Sequence, residues 1–249
     1  MPPAPPAEPK KRPAARPLEA RGLQSGYGRV QILWGVDLHV EPGESVVLLG
    51  ANGAGKTTLL KALHGLLPAW DGEIRLRGED VTHLRTSERV RRGMVYMSEL
   101  GVFPDLSIEE NLRVGAQFLD RATVARRSEM LYGIFPILAE RRRAPASSLS
   151  GGQRKMLGIA KALAGDPKLL LMDEPSAGLS PLFVQEVIQV LARCRAEQSL
   201  ALLIAEQNVK FLELADRVYT LEGGRIRFGG SVAELQANDE LRRAYFGLK

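Results

Sequence analysis

The sequence predicts an α/β fold built on a mixed, mainly parallel β-sheet. The length of 249 residues gives room for one large domain, or for one domain with an inserted subdomain, around a substantial core. Short apolar runs alternate with helical patterns along the chain, which is typical of parallel strands covered by helices on both faces. Near the end, RVYTLEGGRIRFGG (217–230) has the pattern of a hairpin, so the sheet also contains antiparallel strands.

Four strands are predicted before residue 100. Their apolar residues either alternate with polar ones or form a continuous buried run. In chain order they are VDLHV (36–40), SVVLLG (45–50), EIRLRG (73–78) and MVYMSE (94–99). EPGE (41–44) is typical of a tight turn between the first two strands. A helix is predicted from about 56 to 67, directly after the second strand.

The stretch from about 100 to 165 differs from its surroundings. It contains three prolines and the helical patterns SIEENLRVGAQFL and ATVARRSEMLYGIF, and it has no strand pattern. We interpret it as a helical subdomain inserted into a sheet domain that spans 18–249. The elements that follow it are the strand KLLLMDEP (168–175), a helix over about 182–196, the buried run LALLIAE (200–206), a short helix and the hairpin.

Composition limits the classes of function. Residues 1–17 carry four basic residues and one glutamate, so they supply +3 of the net charge of +5, and the remaining body is too weakly charged for a nucleic-acid-binding surface. The same segment holds 7 of the 15 prolines and almost no large apolar residue, which predicts a disordered, basic, proline-rich tail. The sequence contains no run of 18 apolar residues, so no transmembrane helix is predicted and a membrane span would have to come from another chain.

The single cysteine, Cys194, excludes an intramolecular disulfide and fits a reducing cytoplasm. It shares a helical stripe with apolar residues, so we expect it in the core rather than as a reactive thiol.

GANGAGKTT (50–58) has the spacing G-x-x-x-x-G-K-[ST] of a phosphate-binding loop, and it lies between a predicted strand and a predicted helix, as that loop requires. The backbone N–H groups would wrap the β-phosphate, Lys56 would reach the β- and γ-phosphates, and the Thr57 hydroxyl would hold Mg²⁺. The chain is therefore predicted to have a P-loop NTPase type of fold. The predicted nucleotide-binding residues are Asn52, Gly53, Ala54, Gly55, Lys56, Thr57 and Thr58.

LLLMDEP delivers two carboxylates at the end of an apolar strand, where open α/β sheets bind ligands. Asp173 is predicted to join the Mg²⁺ shell, and Glu174 is predicted to orient and deprotonate an attacking water. LSGGQ (149–153) is a second phosphate-type site, because Ser150-Gly151-Gly152 leads directly into a helical pattern. Ser150 is also predicted to cap that helix.

GANGAGKTT, LSGGQ, LLLMDEP and SAGLS, in that order, resemble the nucleotide-binding subunit of an ATP-binding cassette (ABC) transporter over about 18–249. The resemblance implies the ABC ATPase fold, with an N-terminal antiparallel β portion, and it implies bound ATP and Mg²⁺. In that family two nucleotide-binding domains meet head to tail, and the signature of one closes on the ATP held by the other. It therefore implies a second ATPase subunit whose nucleotide is contacted by the residues Ser150, Gly151, Gly152 and Gln153.

Four further positions take their meaning from this resemblance. Tyr27 stands where the family has an aromatic residue that stacks on adenine, although a tyrosine near a turn is often simply half-buried. Glu99 replaces a common glutamine and could ligate Mg²⁺ through its carboxylate. Gln207 replaces a common histidine, and our hypothesis is that it senses the γ-phosphate by hydrogen bonding alone and acts with Lys56 and Glu174 in catalysis. Ser180 replaces a common aspartate that faces the partner subunit.

MSELGVFPDLSIEENL, DEPSAGLSP, AEQN and LRRAYFG are similar to one subgroup, the ATPase subunits of branched-chain amino acid importers. This implies a cytoplasmic Mg²⁺-ATPase on the inner face of the cell membrane. Its implied partners are transmembrane permease subunits, received around 102–104, and a second ATPase subunit, with a heterodimer favoured over a homodimer. Import of urea or amides and export of lipid remain alternatives. A soluble ABC ATPase acting on nucleic acid or ribosomes is less favoured, because there is one cassette and no long heptad run, and a regulator without turnover is disfavoured by the complete set of catalytic residues.

Overall fold

The computed structural model describes residues 15–98 and 101–246, which fold around two β-sheets. The strands are β1 (Leu18–Tyr27), β2 (Val30–Val40), β3 (Ser45–Leu49), β4 (Asp71–Leu76), β5 (Glu79–Asp80), β6 (Met94–Met97), β7 (Leu169–Asp173), β8 (Ala201–Glu206), β9 (Arg217–Glu222) and β10 (Arg225–Gly230). The helices are α1 (Lys56–His64), α2 (Thr86–Arg91), α3 (Ile108–Gly115), α4 (Arg121–Ile134), α5 (Pro136–Glu140), α6 (Gly151–Ala164), α7 (Pro181–Gln198), α8 (Val232–Ala237) and α9 (Asp239–Phe246).

The larger sheet has six strands in the order β10-β9-β3-β8-β7-β6. β3 pairs in parallel with β8 and β9, and β7 pairs in parallel with β6 and β8, whereas β9 and β10 form the antiparallel hairpin. The predicted mainly parallel sheet is thus confirmed. Strands β3, β7 and β8 are buried along their whole length, which is why they appear in the sequence as continuous apolar runs.

The smaller sheet is antiparallel, with the order β2-β1-β4-β5, and it provides the expected N-terminal β portion. The sequence pattern did not predict β1 and predicted only the last half of β2. The ladder between these two strands changes register at three places. Each change interrupts the alternation of buried and exposed residues that predicts a strand, and this explains why β1 could not be recognised.

Two apolar cores lie on opposite faces of the larger sheet. Val47 and Leu49 of β3 belong to the core formed with helices α3 to α7, whereas Val46 and Leu48 of the same strand belong to the core formed with α1 and the antiparallel sheet. The side chains of a strand alternate between faces, so one buried strand contributes to both cores. This arrangement fixes β3, and with it the loop that follows, from both sides.

Between β6 and β7 the described residues form helices and no named strand, with one isolated bridge between Ser107 and Pro145. The helical content expected there is therefore present. The division of the chain at residues 17, 100 and 165 stays a prediction. The basic tail up to residue 14 lies outside the described residues.

Helix α7 has 18 residues and is the longest helix of the described part of the chain. It contributes Val187, Leu191 and Cys194 to the core, so the expectation that Cys194 is a core residue is confirmed. Burial raises the pKa of the Cys194 thiol to about 11, which keeps it protonated and unreactive. None of the helices within the described ranges is long and apolar enough to cross a bilayer.

Two buried arginines close the carboxyl ends of α1 and α6. Arg89, on α2, donates to two carbonyl oxygens in the last turn of α1 at 2.5 and 3.1 Å. Arg127, on α4, donates to two carbonyl oxygens in the last turn of α6 at 2.6 and 3.1 Å and pairs with Asp166 at 2.7 Å. Helix carboxyl ends carry partial negative charge and unpaired carbonyl groups, and a guanidinium satisfies both.

Candidate nucleotide site

The carboxyl ends of β3, β7 and β8 lie at the same edge of the larger sheet, because these strands run parallel. The glycine-rich loop follows β3, Asp173 ends β7 and Glu206 ends β8. An open α/β sheet binds its ligand at this edge. Residues that are more than 110 positions apart in the sequence are therefore brought together, as the hydrogen bond between Thr57 and Asp173 demonstrates.

The loop from 50 to 55 has the shape of an anion cradle. Gly53 and Gly55 have φ angles of 80° and 106°, which only glycine adopts without strain, so successive N–H groups can turn toward one point. The N–H of Gly224 donates to the carbonyl oxygen of Ala54 at 2.9 Å and anchors the loop to the β9–β10 hairpin. Helix α1 begins at Lys56 without a side-chain cap, which leaves its first N–H groups to a ligand.

The side chain of Lys56 is buried and lies on the loop that precedes it. Its ammonium donates to the carbonyl oxygens of Gly50 and Ala51 at 2.8 and 3.2 Å, and it pairs with Glu174 Oε1 at 3.2 Å. All three partners are oxygen atoms within reach of the cradle. Phosphate oxygens could replace them without a large movement of the lysine.

Asp173 and Thr57 supply the oxygen atoms of a candidate Mg²⁺ site. The Thr57 hydroxyl donates to Asp173 Oδ1, and the Tyr96 hydroxyl donates to Asp173 Oδ2, each at 3.0 Å. Burial raises the pKa of Asp173, and these two donors oppose that effect. No group of three or more His, Cys, Asp or Glu side chains in the described ranges could hold a metal ion. One carboxylate and one hydroxyl nevertheless fit Mg²⁺, which keeps several waters and takes phosphate oxygens as its other ligands.

Glu174 has a left-handed backbone conformation, with φ 45°. A non-glycine residue in this region costs about 1–2 kcal/mol, so the surrounding structure must hold it there. Its N–H donates to the carbonyl oxygen of Ala205 at 2.9 Å, and its own carbonyl oxygen accepts from Lys155 Nζ at 2.9 Å. The carboxylate is thereby directed toward Lys56 and Gln207.

Gln207 connects three loops of the site. Its Nε2 donates to Asn52 Oδ1 and, at 3.3 Å, to Glu174 Oε1. The structure therefore brings together the three residues for which catalytic roles were predicted, Lys56, Glu174 and Gln207. Gln207 also lies beside the cradle that is predicted to bind the phosphates.

The signature residues form the start of α6. Ser150 Oγ accepts from the N–H of Gln153 at 3.3 Å, and Gln153 Oε1 accepts from the N–H of Ser150 at 3.0 Å, which is a capping box. The predicted cap is confirmed. In the part of the chain that the structure describes, no hydrogen bond or ion pair joins Ser150, Gly151, Gly152 or Gln153 to the loop at 50–58.

The other predicted site residues lie at the margins. Tyr27 ends β1, with 44% of its surface exposed, and Lys61 Nζ lies 6.0 Å from its ring centre. Thr58 is buried within α1. Ser180 caps α7 by accepting from the N–H of Phe183. Glu99, the third predicted Mg²⁺ ligand, lies outside the described residues.

Three residues that hold the predicted site residues or their loops in place were not predicted from the sequence. Tyr96 contacts Asp173, Lys155 contacts the backbone of Glu174, and Glu206 contacts the loops that follow β7 and β8. Glu206 carried a signal, because an acidic residue ends the otherwise apolar run LALLIAE. The other two carried none, since a tyrosine in a strand and a lysine in a helix are ordinary surface or core residues.

Comparison with known proteins identifies relatives in one family, the ABC transporter ATP-binding proteins. Residues 33–177 match the ABC transporter family. The high-affinity branched-chain amino acid transport ATP-binding protein BraG of Pseudomonas aeruginosa is 40% identical over 89% of this chain and 95% of its own. The lipopolysaccharide export system ATP-binding protein LptB of Escherichia coli is 33% identical over 92% of this chain and 97% of its own. The ADP conformation of MJ1267, an ATP-binding cassette of an ABC transporter, superposes with a TM-score of 0.81 at 24% identity, covering 94% of this chain and 99% of that one, so the two share a fold.

Proposed function

The chain belongs to the ABC transporter family and is one of its ATPases, and we propose that it powers an importer of branched-chain or other hydrophobic amino acids. The observation that carries the ATPase assignment is the convergence of Lys56, Glu174 and Gln207 at the edge of the sheet next to the glycine-rich cradle. The 40% identity to BraG supports the substrate class.

In the proposed reaction, ATP binds with its phosphates in the cradle formed by residues 50–57 and with its adenine against Tyr27. Thr57 and Asp173 would hold Mg²⁺, which supplies charge neutralisation and polarisation of the phosphoryl group when bound. The phosphates displace the loop carbonyl groups and Glu174 from Lys56. Glu174 is then free to orient a water molecule and to accept its proton.

Gln207 donates to the γ-phosphate in this proposal, using the Nε2 hydrogens that bind Asn52 and Glu174 in this structure. A glutamine side chain neither gains nor loses a proton near neutral pH. Its contribution is therefore limited to hydrogen bonding, and Glu174 remains the base.

The signature at Ser150–Gln153 is proposed to contact the nucleotide of a second ATPase subunit. The resemblance of LSGGQ to the family signature supports this role. Gly151 leaves room for the close approach of a phosphate, because a Cβ atom there would meet nothing within 4 Å. The second subunit would be a related ATPase or another copy of this chain, with a heterodimer favoured by the resemblance to branched-chain amino acid importers.

A groove of about 500 Å³ beside the signature is the proposed contact with the transmembrane permease subunits. Its apolar lining includes Met97, Val102 and Leu179, and Gly151 at the start of α6 also lines it. Phe103 next to it is 46% exposed and has the ammonium of Lys161 4.6 Å from its ring centre. A permease helix seated there would hold the ATPase, as a peripheral subunit, on the cytoplasmic face of the cell membrane.

Lipid export is the second candidate function, because LptB is 33% identical over 92% of this chain. No observation favours import of urea or amides. The weakly charged body of the chain disfavours action on nucleic acid.

The ATPase is tested with purified protein at high concentration, by comparing the wild type with Glu174→Gln. We expect Mg²⁺-dependent release of phosphate from the wild type and none from the variant, together with retained ATP binding. A wild-type protein that binds ATP but never hydrolyses it, or a variant with near-normal turnover, would contradict the assignment.

The transport function is tested by co-purification of the tagged chain from gently solubilised membranes. We expect two permease chains and a second cassette ATPase, and uptake of labelled leucine that Glu174→Gln abolishes. Recovery from the membrane with a lipid-export assembly would favour the second candidate. Recovery only from the cytosol would overturn both transport functions while leaving the ATPase intact.

A further inference from the structure

Glu206, at the end of β8, is a buried carboxylate at the centre of the site. Only 2% of its surface is exposed. Oε1 accepts from the N–H of Ser176 at 2.8 Å, and Oε2 accepts from the N–H groups of Gln207 and Asn208 at 3.0 and 3.2 Å. No Lys, Arg or His within the described ranges forms an ion pair with it.

These three donors belong to two different loops. Ser176 lies two residues after Glu174, in the loop that leads to α7, whereas Gln207 and Asn208 begin the segment after β8. Each carboxylate oxygen binds one of the two loops. The Glu206 side chain is therefore a clamp between them, and its length sets the separation of the loop that carries the proposed base from the loop that carries the proposed γ-phosphate sensor.

A carboxylate is suited to this position because it only accepts hydrogen bonds and backbone N–H groups only donate them. An amide of the same size would place an NH₂ group against the N–H groups of one loop or the other. The substitution would thus remove the hydrogen bonds to one of the two loops without creating a cavity. The strain at Glu174, with φ 45°, makes the loop dependent on such external contacts.

We infer that Glu206 is a positioning residue for catalysis, which fixes Glu174 and Gln207 relative to each other through the backbone of their loops. The hydrogen bonds of the Glu206 carboxylate go to backbone N–H groups, so the proposed role needs no contact with the nucleotide. This inference rests on the ATPase function proposed above. It predicts an effect on turnover rather than on nucleotide binding, because the cradle at 50–57 has no hydrogen bond to Glu206 in the described ranges.

The test compares Glu206→Gln with Glu44→Gln as a matched control. Glu44 is a partly buried carboxylate that accepts from a backbone N–H, that of Glu41 at 2.6 Å, and it lies at the opposite edge of the same sheet, where it also pairs with Arg217. We expect Glu206→Gln to lower kcat about tenfold to a hundredfold with little change in KM, since small displacements of reacting groups have effects of this size. Glu44→Gln should leave kcat unchanged.

Amide hydrogen exchange provides the readout that a general loss of stability would not reproduce. In Glu206→Gln we expect faster exchange at Ser176, Gln207 and Asn208, while the buried strands β7 and β8 retain their protection. If this variant does not fold, Glu206→Asp replaces it, because the shorter carboxylate cannot reach both loops and should give an intermediate fall in kcat. The inference is overturned if wild type and Glu174→Gln behave as proposed but the Glu206 variants keep the wild-type kcat, or if Glu44→Gln lowers kcat equally. An inactive wild-type protein would instead refute the proposed function itself.

Discussion

The ammonium of Lys155 donates a hydrogen bond of 2.9 Å to the backbone carbonyl oxygen of Glu174. Lys155 is the fifth residue of α6, whose first turn contains the signature, and its side chain is buried. Glu174 is the residue with φ 45° that we propose as the base. The helix that we propose contacts a partner's nucleotide is thus connected directly to the strained residue that we propose acts on the chain's own nucleotide.

We expect Lys155→Met to lower the ATPase kcat about tenfold, the factor that corresponds to loss of one charge-assisted hydrogen bond of about 1.4 kcal/mol. The matched control is Lys161→Met on the same helix, because Lys161 contacts the ring of Phe103 and not the loop of Glu174. Steady-state ATPase assays measure kcat for the two variants and for the wild type. Equal activities would show that the contact of Lys155 has no role in turnover.

The Tyr96 hydroxyl holds one oxygen of the proposed Mg²⁺ ligand Asp173 at 3.0 Å, so Tyr96→Phe frees that oxygen. Loss of a hydrogen bond to a metal ligand lowers metal affinity about tenfold or more. We therefore expect the Mg²⁺ concentration for half-maximal ATPase activity to rise by that factor, while the rate at saturating Mg²⁺ stays close to that of the wild type. Tyr132→Phe is the control, since the buried Tyr132 hydroxyl has no hydrogen-bond partner in the described ranges. An unchanged Mg²⁺ requirement would remove Tyr96 from the site.

Gln207→Ala should reduce turnover only in part, by about tenfold at most, because a neutral hydrogen bond is worth about 0.5–1.5 kcal/mol. Asn52 accepts from the same Nε2 group, so the effects of Gln207→Ala and Asn52→Ala should be less than additive in the double variant. Gln185→Ala is a neutral control, because Gln185 is a partly exposed glutamine that pairs with Glu213 outside the site. Complete loss of hydrolysis in Gln207→Ala would indicate that Gln207 does more than donate a hydrogen bond.

His64 makes the stability of the protein depend on pH. Burial, together with the nearby positive charge of Arg89, lowers its pKa to about 4, whereas the unfolded chain binds a proton with a pKa of about 6.5. Between these values the unfolded state holds more protons, so the free energy of unfolding falls as the pH falls. The contribution of about 3 kcal/mol is complete above pH ~6.5 and is lost by pH ~4.

We expect His64→Leu to remove this part of the pH dependence, and urea denaturation at pH 7 and pH 5 measures it. His83→Leu is the matched control, because His83 is exposed, and its free energy of unfolding should change between pH 7 and pH 5 as in the wild type. If the two variants have the same slope between pH 7 and pH 5, His64 does not titrate as described.

The elements that could be predicted are those that form because of residues close together in the sequence. Continuous apolar runs identified β3, β7 and β8, and the loop at 50–58 was found because glycine spacing, strand and helix occur in order. Strand β1 was missed because its irregular register removes the alternation on which strand prediction depends.

Tyr96, Lys155 and Glu206 could not be assigned to the site for a different reason. Tyr96 and Lys155 act through contacts with residues that are 77 and 19 positions away in the sequence. Glu206 acts through backbone N–H groups, which no residue type reveals. Prediction from the sequence therefore named the side chains that we propose face the nucleotide and missed those that hold them in place.

Arg89 and Arg127, at the carboxyl ends of α1 and α6, are also residues that hold site elements in place, and a selection experiment would reveal their importance. Arg89 and Arg127 lie at the far ends of the helices that begin at the cradle and at the signature. In a library of single variants screened for growth on the transported solute, positions 89 and 127 should tolerate as few replacements as position 56. A survey that ranked residues by distance from the nucleotide would overlook both of them.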